Sequence, residues 1–197
     1  MNRSPVIDVH THMLSKEWLA LLEQHGAPHY SLHTVKGGLK AIHMDGAPFM
    51  TPVPNMFDWE ARIANMDKAR VDIAITSLTC PNAFWGSAEI SLKAARVMND
   101  DMARAQKTWP ERIRWFASLP WQHERLALDE LRRACDAGAV GVMVLANIAG
   151  KTLTDSAFSS IWKVTSLLGF FLMQSMRAAN VTTPSAVANG KSDRRKS

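Results

Sequence analysis

Pro5-Val6-Ile7-Asp8-Val9-His10-Thr11-His12 is the stretch on which the reading of this chain turns. Its β-branched residues predict a strand. Residues two apart on a strand point to the same side, so His10 and His12 are sent the same way. Two imidazoles so placed can converge on one divalent cation of the borderline type, such as zinc, manganese or iron. A bare HxH tripeptide is equally a pair of unrelated histidines. Position lifts it here: the pair ends a strand read as buried and followed by a helix, and catalytic groups of α/β barrels collect at C-terminal strand ends.

Outward from that strand, Ser15 is placed to cap a helix over 15–24 that Gly26 closes. The next stretch, from about Gly26 to Phe57, holds Pro28, Pro48, Pro52, Pro54, Gly37, Gly38 and Gly46 and reads as a long site-serving loop. His25, His29, His33 and His43 crowd it, and with no helix to align them they read as solvated loop histidines. Asp58 caps a helix reaching Ala69 with Ala61, Ile63, Ala64 and Met66 inward, and Val71 to Ser77 is a second strand. The same grammar repeats: a helix over Glu89 to Lys107, a strand over Ile113 to Leu119, a helix over Glu124 to Ala137, and a strand over Val140 to Leu145 apolar enough to be covered on both faces. Thr154-Asp155 can open a fifth helix, and Phe170 to Met173 a fifth strand. The class is α/β, built of βα units around a parallel sheet.

With 197 residues, 47% of them hydrophobic and 21% charged, the chain has the composition of one globular domain with a sizeable core. Its formal charge of +5 is concentrated in the last residues, where Lys191, Arg194, Arg195 and Lys196 stand against Asp193. The body is nearly neutral, so no nucleic-acid or membrane partner is expected. Two cysteines, Cys80 and Cys135, lack CxxC spacing and fit a reducing cytoplasm. No apolar run is long enough for a membrane span.

Around the HxH pair the chain resembles the metal-dependent amidohydrolase superfamily, in the branch that includes aminocarboxymuconate-semialdehyde decarboxylase. The wording IDVHTH carries the resemblance, together with DWEARIANMDKARVDIAITSL, RVMNDDMARAQKTWPERIRWFASLP and GAVGVMVLANIAGKTLTDSAFSSIW, which extend it from about Val6 to Trp162. The resemblance implies a (β/α)8 TIM barrel with one catalytic metal at the strand ends, zinc being the first expectation. It assigns His10 and His12 as metal ligands. Asn147 matches a fourth-strand asparagine facing the site, and Cys80, just past the second strand, is a candidate for the substrate pocket.

In the family a histidine after the fifth strand and an aspartate after the eighth complete the metal shell, and a histidine after the sixth assists the chemistry. Here Ser175 stands where the fifth-strand histidine would fall, and no histidine follows His123. The expectation is therefore the first half of such a barrel, four to five βα units over residues 1–176, with a polar basic tail over 177–197 expected to be disordered and the whole reading as C-terminally truncated. A third ligand would have to come from a residue such as Asp72 or from a partner subunit. The expected function is metal-dependent decarboxylation of a small unsaturated or aromatic carboxylic acid, impaired in this chain. The alternatives are hydrolysis of C–O or C–N bonds, or a non-catalytic half-barrel that pairs with another chain, with a homo-oligomer as one form. The sequence Leu145 to Thr152 ends in GKT but lacks the first glycine of a phosphate-cradling loop, so nucleotide binding is not expected.

Overall fold

The computed structural model describes residues 3–175. The elements in chain order are β1 (Ile7–His12), α1 (Lys16–His25), β2 (Tyr30–Thr34), β3 (Lys40–Met44), β4 (Ala47–Met50), α2 (Trp59–Ala69), β5 (Ile73–Ser77), α3 (Ala88–Thr108), β6 (Ile113–Ala117), α4 (Glu124–Asp136), β7 (Gly141–Leu145), β8 (Asn147–Ile148), β9 (Lys151–Thr152), α5 (Ser159–Leu167) and β10 (Phe171–Ser175). A five-stranded sheet runs β1-β5-β6-β7-β10, and every pairing in it is parallel. Parallel neighbours need a crossover, and α-helices lie in each one, the βα repetition that the sequence pattern predicts. The tail expected from 177 onward lies outside the described residues.

Local chemistry sets the helix starts. Ser15 Oγ accepts from the Trp18 amide, Asp58 Oδ1 from Ala61 and Ser87 Oγ from Ile90, each satisfying an amide that the first helical turn leaves without a carbonyl. Along α3, Ser91, Ala94, Ala95, Met98, Met102 and Ala105 recur at helical spacing and are buried against the sheet. The principal core gathers Trp115 and Ala117 of β6, Val142 and Val144 of β7, Met98 of α3, and Leu131 and Ala134 of α4. A buried polar clamp joins these layers. Glu130, wholly buried, takes Arg96 Nε at 3.0 Å, Arg133 Nη2 at 2.7 Å and Asn99 Nδ2 at 2.7 Å, while Asn99 Oδ1 accepts from the Ser118 amide at 2.8 Å.

Two expectations are corrected. The stretch 26–57 is not one loop: β2, β3 and β4 form a three-stranded antiparallel sheet between α1 and α2. Asp45 and Gly46, with φ of 50° and 81°, make the two-residue turn from β3 to β4, the Asp-Gly geometry that favours hairpins. Ile42, fully buried, and the partly buried Leu32, Tyr30, Phe49 and Met50 anchor this sheet on the main core. Nor is β1 a buried strand. Among the described residues it pairs only with β5, and Val6, Ile7 and Val9 keep 47%, 48% and 50% of their surface exposed. A strand with one neighbour lacks the cover that β6 and β7 have.

Candidate functional site

The C-terminal end of β1 is shaped by an irregularity in its pairing. Asp8 faces Ala74 and Thr11 faces Thr76, so β1 carries an extra residue at Val9-His10 relative to β5. Bulges of this kind re-aim side chains at strand ends. The His10 amide donates to Asp8 Oδ1 at 3.0 Å, holding the bulged backbone. The His10 and His12 rings then stand with centroids 5.1 Å apart and planes at 77°. With metal–nitrogen bonds of about 2.0–2.1 Å at a near-tetrahedral angle, two imidazoles on one ion hold their centroids about 5 Å apart. The ring separation matches that distance, as it also matches an ordinary edge-to-face ring contact.

Three neighbours set the state of His12. Its Nδ1 lies 3.0 Å from Ser77 Oγ, on the β5 residue in register with it. In the tautomer that donates Nδ1–H to that hydroxyl, Nε2 keeps its lone pair, the arrangement in which an outer partner orients a ligating histidine. Burial holds the imidazole below its ordinary 6.5, and the adjacent His10 pushes the same way. A neutral ring is the form that binds metal. Arg62 Nη2, from α2, donates to the His12 carbonyl at 3.0 Å, and Arg62 Nε reaches Met13 Sδ at 3.4 Å, pinning the chain as it leaves the strand.

Among the described residues, no third His, Cys, Asp or Glu joins the pair. Asp72 does not complete it. It lies just before β5, whereas His12 pairs with Ser77 at the far end of that strand, about 16 Å away at roughly 3.3 Å per residue. Its carboxylate is held instead by Arg3 through Oδ2 at 2.6 Å and Oδ1 at 2.7 Å, and by the Val6 amide at 2.7 Å. Ser175 ends β10 in register with Leu145.

Asn147 is drawn into a local turn. Its Oδ1 accepts from the Gly150 amide at 3.2 Å, and Ala149 and Gly150, both at positive φ, link β8 to β9. That ribbon also disposes of the GKT resemblance, since Lys151 and Thr152 form β9 rather than opening a helix. Cys80 is buried just beyond β5, beside Tyr30, whose hydroxyl is pushed up to about 12 by burial and the neighbouring Cys80. Sequence reasoning passed over Ser77 and Arg62. Ser77 is recognisable only through strand register, and Arg62 sits on a helix read for its apolar face alone.

No family model matches the chain. A 2-amino-3-carboxymuconate-6-semialdehyde decarboxylase of Dictyostelium discoideum is 33% identical over 171 residues, taking in 85% of this chain and 47% of its own length. Over most of its length the chain is therefore similar to about half of that decarboxylase. A namesake from Caenorhabditis elegans is 26% identical over 186 residues, covering 83% of this chain and 46% of its own. The chain thus spans about half the length of the curated relatives it matches. In fold it is similar to the Metarhizium anisopliae IDCase crystal structure, with a TM-score of 0.77 at 18% identity over 87% of this chain and 50% of that one. It is also similar to a dihydroxybenzoic acid decarboxylase from Polaromonas, solved with manganese and 2-nitroresorcinol, with a TM-score of 0.64 at 21% identity over 90% of this chain and 51% of that one. The parallel sheet and its helices thus match about half of a TIM-barrel fold.

Proposed function

We propose that this chain carries the first-strand metal pair of a metal-dependent decarboxylase acting on a small unsaturated or aromatic carboxylic acid. The observation that carries the reading is the His10–His12 ring pair, 5.1 Å apart at the end of β1, in a chain 33% identical to a named decarboxylase. His10 and His12 would hold a divalent ion, whose chemistry is to polarise a substrate carbonyl or carboxylate and to activate water. Ser77 fixes the His12 tautomer, Arg62 fixes the backbone beneath it, and Asp8 holds the bulge that presents His10. Asn147 is proposed as a pocket residue on the resemblance, and Cys80 on its place just beyond β5. Zinc suits a nitrogen pair, and the manganese in the Polaromonas structure makes that ion the second to test. The reducing cytoplasm is the proposed compartment; among the described residues, no helix is long and apolar enough to cross a membrane.

Catalytic zinc sites use three protein ligands and an open position, and the described residues offer two. The 197-residue chain by itself is therefore proposed to turn over little. A second reading, a half-barrel that associates through its β1 edge, is favoured by the exposure of Val6, Ile7 and Val9. One assay addresses both. Purified chain is incubated with zinc or manganese and a panel of aromatic and unsaturated carboxylic acids, and carbon dioxide release is followed alongside molecular mass. Weak or absent turnover is expected. Robust metal-dependent turnover lost on His12→Ala would show that another group completes the shell, and turnover confined to an oligomer would place that group on a second copy.

A further inference from the structure

The outer face of the β2–β3 ribbon carries another pair of imidazoles, outside the β1 site. Antiparallel register sets Ser31 opposite His43 and His33 opposite Ala41. His33 and His43 are thus diagonal neighbours on one face, within reach of long side chains. Their ring centroids are 4.1 Å apart and their planes 33° from parallel. The other face of the ribbon presents Leu32 and the fully buried Ile42 to the core, which fixes which way the histidines point. His33 Nε2 lies 3.0 Å from Ser31 Oγ, on the same face, and this leaves Nδ1 of His33 for another partner. At the next position along that face, Asp45 already takes His29 Nδ1 at 2.8 Å.

We infer that His33 and His43 form a two-imidazole site for a divalent transition-metal ion. Two imidazoles on one ion stand about 4.5–5 Å apart for angles from right to tetrahedral when metal–nitrogen bonds are about 2.0–2.1 Å, so the rings must part by about 1 Å or less and turn their nitrogens to a shared point to convert the observed contact into a chelate. Imidazole donors select zinc, nickel or copper(II) over magnesium and calcium, which prefer oxygen. His33 is exposed and His43 partly so, on strands whose backbone the core holds in register, so the two rings are already adjacent when the ion arrives. Chelation ties β2 to β3 beyond the Gly37-Gly38 turn that links them, and an ion bound by the folded chain alone stabilises it. This site does not depend on the decarboxylase reading.

The test is a zinc titration of the isotope-labelled full chain, following the ring nitrogens of the individual histidines by NMR. His33 and His43 signals are expected to move on one common saturation curve. His43→Gln should weaken zinc binding at His33 by roughly tenfold or more, because the second donor of a chelate acts at high effective concentration. The His10→Ala/His12→Ala double variant should leave the His33 curve unchanged. Separate curves for His33 and His43, or a His33 curve that His43→Gln does not move, would overturn the inference and leave the two rings as a stacked surface pair.

Discussion

His12 Nδ1 sits 3.0 Å from Ser77 Oγ, and the two residues are register partners at the C-terminal ends of the parallel strands β1 and β5. The hydroxyl therefore orients the ring from within the sheet itself. Removing it by Ser77→Ala leaves the His12 ring free to turn, and outer-shell losses of this kind typically lower metal affinity about 10- to 100-fold. A zinc titration followed by NMR at the His12 ring nitrogens should show that fall while the thermal midpoint changes little. Unchanged affinity would mean that Ser77 does not position His12.

Glu130 is wholly buried, but its partners Arg96 and Arg133 keep 48% and 36% of their side-chain surface exposed. On Glu130→Ala both guanidiniums can turn to water, whereas Asn99 stays buried and loses one of its acceptors. The cost is then that of one unsatisfied buried group with some lost packing, about 1–3 kcal/mol, rather than that of a stranded buried charge. Denaturant unfolding of the variant measures it. A loss well above that range would mean that the arginines cannot leave.

The side-chain hydrogen bonds from Arg3, then the Val6 amide, hold the Asp72 carboxyl below its ordinary 3.8. A carboxylate depressed in the folded state contributes stability that is full above the unfolded value and is lost as the pH falls through the lower folded value. The N-terminal lead into β1 should therefore loosen only below about pH 4. A carboxyl-detected NMR titration should give Asp72 a midpoint under the ordinary value, and Arg3→Ala should raise it. Equal midpoints in the two proteins would remove Arg3 as the cause.

Gly46 has φ of +81°, and a β-carbon placed there meets nothing within 4 Å. Only the backbone conformation resists substitution, so Gly46→Ala should cost about 1 kcal/mol. Gly26 differs, because its added carbon would lie 2.5 Å from the Leu22 carbonyl oxygen at the end of α1. Parallel denaturant melts should rank Gly26→Ala as the more damaging of the two.

Much of the parallel half of this fold is written in local pattern. Ser15, Asp58 and Ser87 cap the helices they precede, and the doubly apolar run at β7 is buried along almost its whole length. The antiparallel sheet was harder to see because prolines and glycines at its turns resemble loop composition, although Asp45-Gly46 carried the hairpin signal. The exposure of β1 was not legible at all. Val6, Ile7 and Val9 read as buried by type, and whether a second strand covers them is a matter of sheet order rather than local sequence. For the site, the spacing of His10 and His12 was readable, but the bulge that aims them and the partners Ser77 and Arg62 arise from pairing between distant segments.

The most direct test of the β1 pair as a metal site is a manganese titration of the isotope-labelled chain, read as paramagnetic broadening of its backbone amides. The account predicts broadening centred on His10, His12 and Ser77, abolished in the His10→Ala/His12→Ala variant. No broadening around His10, His12 and Ser77, or broadening there that persists in that variant, would contradict it.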